Sequence, residues 1–255
     1  FIIIYSFYFY YFIEYLFKLK YQFNIYKMSS IDPNILNEII TCFKNTLNSD
    51  KKVREEAEAK LKLIENNFIV FTSTFLEYIK APANNTDDEH IKLSVLLHLN
   101  RVLKRNLQDP NFNNDFKIEA MKKYIDAILC PNLNKKILMN LNEGFIEIIN
   151  TIENASNIIV QLLGLLINQI QNFDFSNIKG IIKMIMSIIE VDSIDESNFS
   201  AIYSKVFQAA TLILQKLVEY FQKPEFSQET NLENFLSLCD KVGDLYLLLH
   251  SCALS

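Results

Sequence analysis

The chain has 255 residues, half of them apolar, and a formal net charge of −5. This length and apolar content allow one or two domains with a large core. The acidic balance and the lack of a basic stripe argue against nucleic acid as a partner. Four glycines and five prolines are few for this length, and alternating apolar and polar runs are absent, so the composition favours an all-α chain.

Residues 1–27 form an aromatic and aliphatic extension that stops just before Met28. Its charge-free run is about thirteen residues long, shorter than the roughly twenty residues that a membrane-spanning helix needs. A signal peptide would carry basic residues ahead of the apolar region and small residues at its cleavage site, and this stretch has neither. A and T bases alone can encode most of its residues. This favours a non-native extension, translated from an untranslated upstream region, with Met28 as the true start; a membrane anchor is the alternative.

Two amphipathic helices are predicted between residues 32 and 65. Asp32 supplies an N-cap side chain and Pro33 suits the first helical position, and apolar residues then recur at helical spacing as far as Leu47. Asp50 caps a second helix with one apolar face. Because the turn between the two helices is so short, they are predicted to lie antiparallel.

The sequence of about residues 32–107 resembles the N-terminal importin-β-like domain of nuclear transport receptors, the karyopherins. Two sets of residues carry this resemblance: Val53, Arg54, Ala57, Glu58 and Leu61 in the first helix pair, and Ile91, Lys92 and Leu99 in the next. Asn100-Arg101 stands where the family usually has Lys-Asn, and Leu107 stands where it usually has Trp.

Further apolar stripes predict helices that recur as pairs after the first two. They fall at residues 68–79, 87–106, 115–129, 134–152, 158–170, 176–191, 197–221 and 232–250. The pairs begin about every forty residues, which is the HEAT-like range, and the five prolines fall at predicted helix boundaries. The sequence therefore predicts an all-α superhelix of HEAT/armadillo-like antiparallel helix pairs over residues 28–255. An aliphatic C-terminal face without a polar closing helix predicts that the chain is the front part of a longer solenoid.

The helix predicted at residues 87–106 carries a basic cluster near its end. Its apolar stripe is predicted to point inward and consists of Ile91, Val95, Leu99, Val102 and Leu103. Its basic side chains are predicted to point outward and are Lys92, Arg101, Lys104 and Arg105. Such a cluster is either a solvated helix end favoured by the dipole or a partner-binding surface.

No motif for catalysis or metal binding is present in the sequence. The four cysteines, Cys42, Cys130, Cys239 and Cys252, lie far apart without metal-ligand spacing and are interpreted as small buried side chains. The three histidines are equally scattered, and neither a phosphate-binding loop nor a nucleophile elbow occurs. We therefore predict no catalytic residue, no metal site, no cofactor and no enzymatic activity.

Stacked helix pairs present extended surfaces that bind other proteins. The resemblance implies a fragment of a transport receptor that binds the GTP form of the small GTPase Ran, Phe-Gly nucleoporins and a cargo protein, in the nucleus and cytoplasm. The Ran-binding face would come from the second, or B, helices of the pairs at 51–65, 87–106 and 134–152. Lys92, Arg101 and Arg105 are the candidate Ran-facing residues. The alternative is a HEAT-repeat scaffold subunit of another protein complex.

Overall fold

A computed structural model describes residues 33–46, 48–65, 68–83, 85–109, 112–131, 133–171, 178–189, 191, 196–222 and 236–247. Every regular element within these ranges is a helix, which confirms the predicted all-α class. The helices are α1 (Pro33–Thr46), α2 (Lys51–Glu65), α3 (Phe68–Lys80), α4 (Thr86–Leu107), α5 (Asn114–Ile128), α6 (Lys135–Ile149), α7 (Ala155–Gln171), α8 (Ile178–Ile189), α9 (Glu196–Phe221) and α10 (residues 236–247). The predictions for residues 1–27, Asp32, Pro110, Pro224 and the C-terminal end lie outside the described residues.

The helices begin where polar side chains can accept the first free backbone N–H groups. The predicted cap at α2 is confirmed, since Asp50 Oδ1 accepts a 2.8 Å hydrogen bond from the Lys52 N–H. Asparagines take this role at α4, α5 and α6, namely Asn85, Asn113 and Asn134. Asp87, Asp88 and Glu89 occupy the first turn of α4, where carboxylates interact favourably with the positive end of the helix dipole.

The chain divides into two compact units, with the boundary between Leu63 and Ile64 in the last turn of α2. The first unit contains α1 and most of α2. Lys60 of α2 lies 3.9 Å from Glu38 of α1. Glu38 lies eight residues before the end of α1, and Lys60 lies nine residues after the start of α2. Contact between positions at about equal distances from the turn is expected of the antiparallel arrangement that the short turn predicts.

The second unit stacks its helices in two layers. Consecutive helices pack as pairs, α3 with α4, α5 with α6, and α7 with α8. Across the pairs, α3 packs on α5 and α7 on α9, whereas α4 packs on α6 and α6 on α8. Within this unit we therefore call α3, α5, α7 and α9 the A layer and α4, α6 and α8 the B layer. This alternation is the arrangement that helical repeats of the HEAT type use.

The predicted boundaries of the helices are correct to within a few residues. The largest shifts among the helices with both ends described are three residues: α7 was predicted to begin at Ile158 and begins at Ala155, and α6 was predicted to reach Ile152 and ends at Ile149. The chain turns there, and Asn154 adopts a positive φ of 58°, a conformation that asparagine tolerates better than most residues. Ile152 is nevertheless buried, at 5% exposure, which explains why its apolar side chain continued the helical pattern.

Candidate functional site

The basic end of α4 is exposed, as predicted. Arg101 is exposed and forms no ion pair with a carboxylate in the described ranges. Lys104 Nζ lies 2.8 Å from Glu147 of α6, and Arg105 Nη2 lies 2.6 Å from Glu65 at the end of α2. Lys104 lies at the surface, where water and salt screen its attraction to Glu147, so a partner's carboxylate could replace Glu147 at small cost. Glu65 differs, because its side chain is only 9% exposed and also lies 2.9 Å from His98 Nε2; it has to remain paired.

Lys92, which was predicted to point outward, is instead buried at 2% exposure. Its ammonium group donates a hydrogen bond to the carbonyl of Ala81, just beyond the end of α3, and lies 5.3 Å from the ring centre of Tyr78. Burial lowers the pKa of Lys92, while Asp88 favours its charged form. Lys92 therefore joins the C-terminal end of α3 to α4, and it does not lie on a surface that a partner could reach.

Tyr78 and Asp88 complete the surroundings of Lys92. The Tyr78 hydroxyl donates a 2.5 Å hydrogen bond to Asp88 Oδ1. Burial and this bond raise the pKa of Tyr78 well above its usual range, so the phenol remains a donor at physiological pH. The buried ammonium group thus has a carbonyl, an aromatic ring and a nearby carboxylate as neighbours, which offset its loss of hydration.

The residues that carry the family resemblance on α2 have structural roles. Ala57 and Leu61 are buried at 3% exposure each, and Glu58 is exposed. Arg54 Nη1 donates hydrogen bonds to the carbonyls of Asn48 and Ser49, at 2.7 and 2.9 Å. Arg54 therefore fixes the turn between α1 and α2 by binding two backbone carbonyls of that turn. Of the remaining motif residues, Leu99 is fully buried, whereas Val53 and Ile91 are half-buried.

Asn100, one of the positions that depart from the family pattern, belongs to an internal polar network. Its Nδ2 donates a 2.8 Å hydrogen bond to the carbonyl of Asn140 on α6, and its Oδ1 accepts one of 2.7 Å from Tyr124 of α5. Sequence reasoning missed this network because its members are far apart in the chain. A similar hydrogen bond joins the next two B helices, α6 and α8: the hydroxyl of Ser187 on α8 donates to Asn142 Oδ1 on α6 at 3.1 Å.

The cysteines are not activated for chemistry. Cys42 is buried, and Cys130 and Cys239 are half-buried; Cys252 lies outside the described residues. Burial raises the pKa of all three described thiols, which keeps them protonated and weakly nucleophilic. Within the described residues, no group of three or more His, Cys, Asp or Glu side chains could hold a metal ion. None of the described helices has the length and apolar content that a membrane span requires.

Comparison with known proteins identifies no relative by sequence. No protein-family model matches the chain, and no curated protein matches it. Among solved structures, the chain is similar to the crystal structure of an engineered protein at 11% identity and a TM-score of 0.22, over 82% of this chain and 97% of that one.

Proposed function

We propose that the chain is part of a nucleocytoplasmic transport receptor that binds the GTP form of Ran in the nucleus and the cytoplasm. The observation that carries this proposal is the layered array of helix pairs, in which α4 and α6 pack side by side and α4 presents exposed basic side chains near its C-terminal end. The motif residues of α2 and α4 add support, because they occupy defined structural positions in regular helices. The cargo protein would bind the helix array elsewhere.

Within this proposal, Arg101, Lys104 and Arg105 form the contact surface on α4. Lys92 does not belong to this surface, since its ammonium group is buried and donates a hydrogen bond to the carbonyl of Ala81. Arg101 is the leading candidate because it is exposed and an arginine can bind a partner's carboxylate through two parallel hydrogen bonds. Lys104 would contribute by exchanging Glu147 for a carboxylate of Ran, and Arg105 would contact Ran while it stays paired with Glu65.

The nucleoporin contact is assigned to α9, a helix of the A layer. Its exposed apolar side chains are Phe199, Phe207, Leu214 and Val218, which are 38 to 50% exposed. Their spacing places them on one side of the helix. An exposed apolar stripe of this kind can bind the aromatic side chains of Phe-Gly segments. Replacing Phe207 by Ser should weaken the binding of a Phe-Gly peptide, and replacing the exposed Glu219 by Gln should not.

A HEAT-type scaffold subunit is the second candidate, and Asn100 favours it. The family usually has a lysine at this position, whereas the Asn100 side chain here is engaged with Tyr124 and Asn140 inside the protein. The chain therefore lacks the family's basic residue at this position, and the asparagine that stands there makes contacts within the protein instead. The scaffold candidate requires only the helix array and its protein-binding surfaces.

The deciding experiment measures binding of the full chain to Ran loaded with GTP and, separately, with GDP. We expect binding to the GTP form only, weakened about tenfold or more by Arg101→Glu, because charge reversal at an interface adds repulsion to the lost contact. Lys44→Glu on α1 is the matched control, since Lys44 is equally exposed and lies outside the proposed face. Failure of the folded chain to bind either form would reject the transport proposal in favour of the scaffold.

A further inference from the structure

Four lysines from three helices lie near one another, with those of the B layer at the N-terminal ends of α6 and α8. They are Lys135 on α6, Lys179 and Lys183 on α8, and Lys241 on α10. The charges of Lys179, Lys135 and Lys183 all act on the ammonium group of Lys241. We refer to these four residues as the lysine cluster.

The packing of α6 against α8 explains why these lysines meet. The hydrogen bond between Asn142 and Ser187 fixes the register of the two helices, and moving back seven residues from each places Lys135 level with residue 180. Gly180 lies against the carbonyl of Ile128, at the end of α5 and just before α6 begins, so closely that a side chain there would clash. The first turns of α6 and α8 are therefore neighbours.

Carboxylates stand near the lysine cluster without pairing with it: Glu89 of α4 accepts a 3.1 Å hydrogen bond from Asn134, next to Lys135, and Asp240 and Asp244 share α10 with Lys241. None of its four lysines forms an ion pair with a carboxylate in the described part of the chain. Burial and the other three lysines together lower the pKa of Lys241. The first turns of α6 and α8 also lack acidic residues, although the positive end of the helix dipole favours acidic residues there. Positive charges thus lie together at the first turns of α6 and α8, where the helix dipoles disfavour them.

We propose that the lysine cluster binds a short segment rich in Asp and Glu from a partner protein. Neighbouring helix axes lie about 8 to 10 Å apart, so three helices span about 16 to 20 Å. An extended segment of five or six residues covers that length at about 3.3 Å per residue. A single phosphate ion would reach only part of the cluster, whereas successive carboxylates could contact lysines on each helix.

A nucleic acid fits this surface less well than an acidic peptide. The chain carries a net charge of −5, so a long polyanion would be repelled by the protein beyond the lysine cluster. Nucleic-acid binding also relies on a basic stripe that follows the phosphate backbone. A local cluster on an acidic protein instead suits a short ligand whose charge is equally local.

The lysine cluster is separate from the surface proposed for Ran. Lys135 stands at the first turn of α6, and Glu147, which binds Lys104 of the basic end of α4, stands near its last turn. These positions are about 18 Å apart along the helix axis at 1.5 Å per residue. Arg101 is closer, since the neighbouring Asn100 bonds to Asn140, and lies about 8 Å from the level of Lys135 along the axis. The inference goes beyond the proposed function, and either can fail without the other.

The test is binding of a fluorescently labelled acidic octapeptide, made of alternating Asp and Glu, to the full chain at low salt. We expect saturable binding that weakens about tenfold or more in the double variant Lys179→Glu/Lys183→Glu. The matched control is Lys44→Glu/Lys52→Glu, which changes the net charge equally at exposed lysines outside the cluster and should leave binding unchanged. Circular dichroism checks that each variant is folded, and Lys179→Gln/Lys183→Gln replaces the first variant if it is not.

Three results would overturn the proposal. Absence of binding by the folded chain would show that the lysine cluster is not a peptide site. Equal weakening by the two double variants would show attraction by overall charge only. Tighter binding of a single-stranded oligonucleotide of equal charge than of the octapeptide, with the same dependence on Lys179 and Lys183, would assign the surface to nucleic acid.

Discussion

The hydroxyl of Tyr124 donates a 2.7 Å hydrogen bond to Oδ1 of Asn100. Tyr124 is fully buried and belongs to α5 in the A layer, whereas Asn100 belongs to α4 in the B layer. Because Asn100 also donates to the carbonyl of Asn140 on α6, one side chain links three helices from two successive pairs. This polar contact fixes how the pairs stack more specifically than apolar packing alone.

Asn100→Ala should destabilise the protein by about 1 to 3 kcal/mol, since it leaves the buried Tyr124 hydroxyl without its acceptor and removes the side-chain bond to α6. Urea unfolding followed by circular dichroism measures this change. Asn37→Ala on α1 is the control, because Asn37 is exposed and its replacement should cost no more than about 0.5 kcal/mol. Equal losses in the two variants would show that the link between the helix pairs contributes nothing.

Tyr124 should make the protein sensitive to alkaline pH. Burial raises its pKa in the folded state above the ordinary value of 10.0. Above about pH 10 the folded chain therefore binds more protons at this site than the unfolded chain does, and stability falls as the pH rises. The contribution of Tyr124 to stability, present below pH 10, should decrease by about 1 kcal/mol by about pH 11.

Unfolding free energies of the wild type and Tyr124→Phe, measured at several pH values from about 9 to 11, test this expectation. The variant loses the hydrogen bond to Asn100, so it starts less stable, but its stability should decline less steeply. Parallel declines would mean that Tyr124 ionises as easily in the folded protein as in the unfolded chain. Other tyrosines do not confuse the comparison, because both proteins contain them.

Gly144 of α6 is required by the same contact. A Cβ atom at this position would overlap the ring of Tyr124 and approach Asn100 Oδ1 to 2.7 Å. Gly144→Ala should therefore destabilise the protein by about 1 to 3 kcal/mol through overpacking. Gly243→Ala on α10 is the control, since nothing lies within 4 Å of the added methyl group; alanine there should stabilise by about 0.5 to 1 kcal/mol. Thermal unfolding of the two variants should shift in opposite directions.

The helices could be predicted from the sequence because apolar residues at spacings of three and four define a buried side of each. The same spacing also places Lys92 on the buried side of α4. The prediction overlooked this because lysine is a polar residue, and Lys92 was wrongly predicted to point outward. Positions 92, 95, 96, 99, 102 and 103 of α4 form one continuous stripe, and all of them are buried. Ile91 was predicted to point inward because its side chain is apolar, although its position on the helix lies beside the buried stripe.

The polar networks and the lysine cluster could not be predicted in the same way. Asn100 and Tyr124 are on different helices, and the local sequence around either residue does not indicate that the two side chains are in contact. Their contact depends on how two helix pairs stack, which the helical period does not determine. A local signal did exist for Lys135 and Lys179, because lysines without acidic neighbours at the first turn of a helix oppose its dipole. Their proximity still required the register between α6 and α8.

Lys92→Glu should unfold or severely destabilise the protein, by about 3 kcal/mol or more. The substitution would place a buried carboxylate against the Ala81 carbonyl and near Asp88, both of which repel it. Arg101→Glu, an equal charge reversal on the exposed side of the same helix, should change stability by no more than about 0.5 kcal/mol. Chemical denaturation of both variants distinguishes a structural lysine from a surface residue; similar stabilities would contradict the buried position of Lys92.

Lys241→Gln should stabilise the protein. Burial and three neighbouring lysines disfavour the ammonium group of Lys241, and glutamine removes the charge while keeping a polar side chain of similar length. We expect a melting temperature about 1 to 3 °C higher at low salt. Because salt screens repulsion between charges, the difference from the wild type should narrow at about 0.5 M sodium chloride. A gain that does not depend on salt would assign the effect to burial of Lys241 alone, and a loss of stability would show that the four lysines do not repel one another in the folded protein.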